Sequence, residues 1–205
     1  MCSTVVVMNR TLLAATAVLA VASMGLSACS GDASSNSELV KSETSSADIT
    51  WNDADVKFVQ EMIPHHEQAV EMSDMLSVRD VSEETAALAQ RIGATQSDEV
   101  RMMQGYLAEW GVELDPHAGH SGDHAMGEGM MTAEQLAELG AATGGAFERM
   151  WLTMMLEHHK GAIAMANAVV ASGVEPRVRA FAESIVTAQG AEITQIEGLL
   201  ATLGG

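Results

Sequence analysis

From Phe58 to Leu76 the apolar-face positions return every three or four residues. Phe58, Met62, His65, Ala69, Met72 and Leu76 make one stripe, and Val59, Ile63, His66 and Val70 make the stripe beside it. That spacing is the 3.6-residue period of a helix with one buried face. Trp151, Met155, His158, Ala162, Met165 and Val169 repeat the pattern, beside Leu152, Leu156, His159, Ile163 and Val170. The two stretches predict helices over roughly 53–77 and 145–172. Ser82 is placed to cap a further helix running to about Trp110, with Gly111 as its stop. Gly173 closes the helix before it and Pro176 opens the last one. Thr132-Ala133-Glu134-Gln135 has the form of a capping box for a short helix between the two units. No segment alternates with period two between hairpin turns, so the expected fold class is all-α.

The similarity of the two stretches extends to a full internal repeat. Val56–Gly111 aligns without gaps on Arg149–Gly204, with about 15 identities in about 56 positions. Ile92, Gln96, Glu99, Gly105, Leu107 and Gly111 match Ile185, Gln189, Glu192, Gly198, Leu200 and Gly204. Each copy is a helical hairpin, and one hairpin cannot bury a stripe this wide, whereas two packed face to face can. The expected domain is therefore a four-helix bundle over residues 51–205. Its parts are repeat one at 56–111, a connecting loop at 112–131 and repeat two at 149–204. Pro64 falls inside the first helix, where its ring crowds the carbonyl of Gln60. Its counterpart in the repeat is Glu157, so the helix is expected to continue with a kink.

The repeat places unusual chemistry at matching points. His65-His66 and His158-His159 sit near the middles of their helices, so up to four imidazoles fall at one level of the bundle. Met62 and Met155 stand one turn before each pair, and Met154 adds a further sulfur. Met72 and Met165 share the stripe seven residues beyond the first histidine of each pair, about 10.5 Å along the axis, in a neighbouring layer. Imidazole with thioether is a donor set that favours copper, above all Cu(I). Zinc normally recruits Cys or carboxylates. The loop carries a second tract, with His117, His120, His124, Met126, Met130 and Met131 among glycines, the composition of a metal-binding segment.

Composition sharpens the picture. The chain of 205 residues has 28 acidic against 10 basic side chains, a formal charge of −18. That excess argues against binding nucleic acid and against docking on anionic lipid headgroups. Aromatics make up 3% while methionine numbers 15, so the core must be filled by Ala, Leu, Val and Met.

The two cysteines, Cys2 and Cys29, both lie before the bundle. Met8-Asn9-Arg10 and the uncharged apolar run Thr11–Gly25 have the layout of a secretory signal, read from Met1 or from Met8. The run is too short for a membrane span of roughly 20 residues. It ends Leu26-Ser27-Ala28-Cys29, which resembles a bacterial lipobox. Residues 1–28 are thus expected to be a lipoprotein signal peptide and Cys29 the lipidated new N-terminus. Residues 29–50, rich in Ser, Asp and Glu, are expected to be a flexible tether to the outer face of the cell membrane.

The doubled motif resembles that of the domain-of-unknown-function 305 family, bacterial secreted proteins that include the CopM-type copper-binding proteins. The family pattern Phe-x3-Met-Ile-x-His-His-x2-Ala-x2-Met stands here as Phe58, Met62-Ile63, His65-His66, Ala69 and Met72. It returns as Trp151, Met155-Leu156, His158-His159, Ala162 and Met165, over a resemblance that spans roughly 51–204. The resemblance implies a ferritin-like four-helix fold and copper binding in copper resistance.

Three functions follow as expectations. The first is an extracytoplasmic copper-binding lipoprotein that buffers or delivers Cu(I), its affinity falling with pH through about 6.5. The second is a metal-free helical module that docks a partner protein. The third is a metal-dependent oxidoreductase of the di-iron type, which needs Glu-x-x-His pairs that this chain does not contain. The first is favoured and the protein is not expected to be an enzyme.

Overall fold

The computed structural model describes residues 50–118, 120–121 and 125–204. The expected signal peptide, Cys29 and all but the last residue of the tether lie outside the described residues, as does His124. Helix α1 spans Asp53–Asp74 and runs into a 3-10 turn at Met75–Val78. Helix α2 spans Glu83–Trp110, α3 Ala133–Ala141, α4 Gly144–Ser172 and α5 Pro176–Leu203. In the loop, β1 (His120–Ser121) pairs antiparallel with β2 (Ala125–Met126), a ladder too short for the sequence pattern to signal. The architecture is all-α, a ferritin-like four-helix bundle built from two repeated hairpins, α1–α2 and α4–α5. The hairpins meet chiefly through α1 and α4, while α2 and α5 barely touch.

Local chemistry explains where each helix begins and stops. Asn52 and Asp55 form a capping box at the start of α1, and Thr132 with Gln135 forms the one read for α3. Ser82 caps α2, and Gly111 ends it at a φ of 68°, a conformation that costs glycine little. Gly173 ends α4 differently, in extended backbone. Glycine is needed there for space, because a Cβ would lie 2.3 Å from Asp55 Oδ1. Helix α1 continues through Pro64.

Two buried carboxylates, at equivalent positions of the repeat, tie each hairpin to the other. Asp55 Oδ2 accepts the N–H groups of Asn52, Val174 and Glu175 at 2.9, 3.0 and 3.1 Å, fixing the α4–α5 turn to the start of α1. Glu148 accepts from Ser82 N at 3.2 Å and Thr85 Oγ1 at 2.6 Å, and also from the Ser82 hydroxyl. It thereby fixes the start of α2 to α4. Burial alone would raise the Glu148 pKa, but the hydrogen bonds from Ser82 and Thr85 outweigh it and hold the carboxyl below its ordinary value. Changing Asp55 to Ala strands three donors and is expected to cost about 2–3 kcal/mol. Chemical unfolding of the metal-free protein measures this, and a loss below 0.5 kcal/mol, on the scale of an ordinary surface substitution, would contradict the clamp.

Candidate metal centre

Helices α1 and α4 run antiparallel and meet at their middles. Asn52 before α1 donates to Ser172 O at the end of α4, and Trp151 near the start of α4 donates to Met72 O near the end of α1. This register brings all four histidines to one level, each at most 1% exposed. His65 and His158 face each other with ring centroids 3.8 Å apart and planes at 41°. His66 lies 6.3 Å from His65 and His159 6.4 Å from His158. Gln96 of α2 and Gln189 of α5 are also buried, and each interrupts an otherwise apolar stripe at this point. The polar layer divides the core in two. On one side lie Phe58, Val59, Met62, Phe181 and Ile185. On the other lie Met72, Leu88, Trp151, Met155 and Ile196.

Hydrogen bonds fix the tautomers of three rings. His66 Nε2 lies 2.8 Å from Glu99 Oε2 and His159 Nε2 2.7 Å from Glu192 Oε2. A carboxylate oxygen accepts, so each of these rings donates Nε2–H to its glutamate and leaves Nδ1 without a partner. His65 Nε2 lies 3.1 Å from the carbonyl oxygen of Glu128, which fixes the same tautomer. Neither nitrogen of His158 is hydrogen-bonded, and the Nδ1 atoms of the other three and the side-chain amides of Gln96 and Gln189 are buried without partners. A buried polar group left unpaired costs roughly 1–3 kcal/mol. The layer is therefore carried at a cost to the fold.

Burial pushes His65 down to about 3, with His66 and His159 adding repulsion and the Glu128 carbonyl offsetting part of the shift. Burial also holds His158 well below 6.5, reinforced by His65, His159 and His66; the nearby His65 backbone opposes in part, although its geometry falls short of a hydrogen bond to either ring nitrogen. This corrects the expectation that proton competition sets in near 6.5, which assumed solvated imidazoles. The sign for stability follows from the unfolded chain, whose histidines titrate near 6.5. Stability linked to His65 and His158 is complete above 6.5 and is lost as pH falls towards the depressed native values. Between pH 7 and pH 4 the metal-free protein is expected to lose on the order of a few kcal/mol. Urea unfolding at stepped pH measures this, and a flat profile down to pH 4 would contradict it.

A strap, Gly127–Met131, closes one side of the layer. Gln68 seats it by accepting from Met131 N at 2.6 Å and donating to Met131 O at 2.8 Å. Gly161, the counterpart of Gln68 in the repeat, admits it by lacking a side chain. A Cβ at Gly161 would meet Glu128 O at 2.1 Å. Gly129 adopts a φ of 77° as the strap passes α4. A cleft of about 270 Å³ remains beneath the strap, with His65 on its wall alongside Met130, Met165 and Glu61.

The other residues singled out from sequence fall in different places. Met62 and Met155 are fully buried on opposite sides of the layer. Met72 is buried deep in one apolar half, whereas its counterpart Met165 is half-buried in the cleft. Met131 and Met154 line a separate cavity together with Met150, which the sequence reading passed over. His117 is exposed, and the backbones of His120 and Met126 pair in the short ladder. Among the described residues no three His, Cys, Asp or Glu side chains converge as a cage for an ion. An ion in this layer would have to draw on thioether sulfur as well as imidazole, which is a soft donor set. The sequence reading missed Glu99, Glu192, Gln96 and Gln189 as parts of the layer. The signal was present, since all four are identical between the copies and the glutamines occupy core-facing positions.

A family model, Domain of unknown function (DUF305), matches residues 55–200, and the chain belongs to this family. A Streptomyces coelicolor DUF305 protein, described as a presumed secreted protein, is 34% identical over 74% of this chain and 94% of its own, with a TM-score of 0.68. A DUF305 fragment from Deinococcus radiodurans is 31% identical over 74% and 97%, with a TM-score of 0.67. CopM in its Cu(I)-bound form is 26% identical over 74% and 98%, with a TM-score of 0.63. A search of curated proteins finds no match. Among the described residues no helix is long and apolar enough to cross a membrane.

Proposed function

We propose that this protein binds copper as Cu(I) in the imidazole layer, outside the cytoplasmic membrane, to buffer or deliver it. The observation that carries the reading is the buried His65–His158 pair with its unpartnered nitrogens, each histidine standing three residues after a fully buried methionine, Met62 or Met155. His65 and His158 would supply the first donors, and Met62 and Met155 the thioethers. Glu99 and Glu192 orient His66 and His159 with their Nδ1 lone pairs free, as carboxylates orient metal-bound histidines elsewhere. Soft, neutral donors in a low-dielectric layer favour a monovalent soft ion over Zn2+ or Ca2+. The CopM structures with Cu(I) and Cu(II) support metal binding on this fold. The reading is of a binding protein and not of an enzyme, anchored through a lipid on Cys29, with the 29–50 segment as tether.

Anaerobic competition against a Cu(I) chelator tests the proposal, using the full chain with Cys2 and Cys29 changed to Ser. The parent is expected to withdraw copper from the chelator, and a folded H65L/H158L variant is expected to lose that equivalent. Equal retention by both would overturn the site and leave a metal-free partner-binding module as the better reading. The tract at His117, His120, His124 and Met126 is proposed to capture the ion first. Deleting residues 117–126 while keeping the strap is expected to slow uptake at least about fivefold with the affinity of the layer unchanged. Unchanged stopped-flow uptake rates would remove that role.

A further inference from the structure

The layer is closed to solvent, but the chain carries a second group of sulfur donors that is not. Met150 and Met154 stand one helical turn apart on α4, so their side chains share a face. Both are half-buried, and together with Met131 they line a cavity of about 720 Å³. Met131 is 5% exposed, and its backbone is held at both N–H and C=O by Gln68, so the strap that brings it to the wall of the cavity is fixed. No histidine or cysteine lines this cavity, and the only carboxylate on its wall, Glu157, is exposed and paired with Lys160 at 2.8 Å.

We propose that Met131, Met150 and Met154 form a separate thioether-only site for a soft monovalent cation, Cu(I) or Ag(I), open to solvent on the flank of α4. Three neutral thioethers suit such an ion and discriminate against Zn2+, Mg2+ and Ca2+, which demand nitrogen, thiolate or oxygen donors. Thioethers do not titrate, so this site works independently of the imidazole layer.

The test uses the full chain with Cys2 and Cys29 changed to Ser and its methionine methyl groups labelled with 13C. It compares this parent with M150L/M154L, in which leucine keeps the apolar volume. Titration with Ag(I) is expected to shift the methyl resonances of Met131, Met150 and Met154 in the parent. The double variant is expected to bind one equivalent fewer, and its Met131 signal to stay unmoved. Identical stoichiometry in the two proteins, or parent resonances of these three residues unmoved by Ag(I), would overturn the site. Failure of the imidazole layer to bind would appear separately, as unmoved Met62, Met155 and histidine ring signals. It would leave this result standing.

Discussion

Changing His158 to leucine is expected to make the metal-free protein more stable and to leave its imidazole layer unable to hold Cu(I). The two effects have one cause. Neither ring nitrogen of His158 has a hydrogen-bond partner, although the residue is fully buried at the crossing of α1 and α4. Leucine fills a similar volume with no polar group to satisfy, so removing the orphaned imidazole is expected to add about 1–2 kcal/mol. In a domain of this size that raises the midpoint of thermal unfolding by a few degrees. The same change deletes one half of the imidazole pair with the shortest separation among the described residues, 3.8 Å between ring centroids. Loss of a direct donor is expected to weaken Cu(I) binding by more than about a hundredfold, beyond what losing an orienting partner alone does. Copper should therefore raise the unfolding temperature of the parent by more than that of the variant, which keeps only sites outside the layer. A variant that is less stable without metal and as fully protected by copper as the parent would contradict both halves of the argument.

Gly161→Ala is expected to release the strap. The added Cβ would lie 2.1 Å from Glu128 O and 2.7 Å from Gly129 Cα, both backbone atoms that cannot turn aside. Moving them removes the carbonyl from His65 and strains the paired contacts of Gln68 with Met131. The expected cost is about 2–4 kcal/mol, concentrated in residues 127–131. Hydrogen exchange should show the Met131 amide losing its protection while the middles of α2 and α5 keep theirs. Retained protection at Met131 would mean that the strap does not depend on this close approach.

Much of this was legible in the chain, for identifiable reasons. The 3.6-residue stripes, the 93-residue offset of the repeat and the caps at Ser82, Gly111, Thr132 and Pro176 correspond to the elements as they form. These signals are local, and each is set by chemistry within one or two turns. The facing of His65 and His158 followed only as a shared level, because the sequence fixes height along a helix better than rotation about it. The division of labour within each histidine pair was not legible. His66 and His159 turn to glutamates 33 residues away on the neighbouring helices, a contact that depends on how the hairpin closes. The proton chemistry was misjudged for the same reason, since the depressed pKa of His65 comes from burial that only the assembled bundle creates. The strap was hidden because its determinants are one glycine on α4 and one glutamine on α1 that read as ordinary helical residues.

The most direct measurement is a crystal of the Cu(I)-loaded protein with anomalous scattering recorded at the copper edge. The account predicts a peak in the central layer, within bonding distance of a nitrogen of His65 and one of His158 and of a thioether from Met62 or Met155. Copper density confined to the loop or the flank of α4, with the central imidazoles unmoved and unligated, would contradict it.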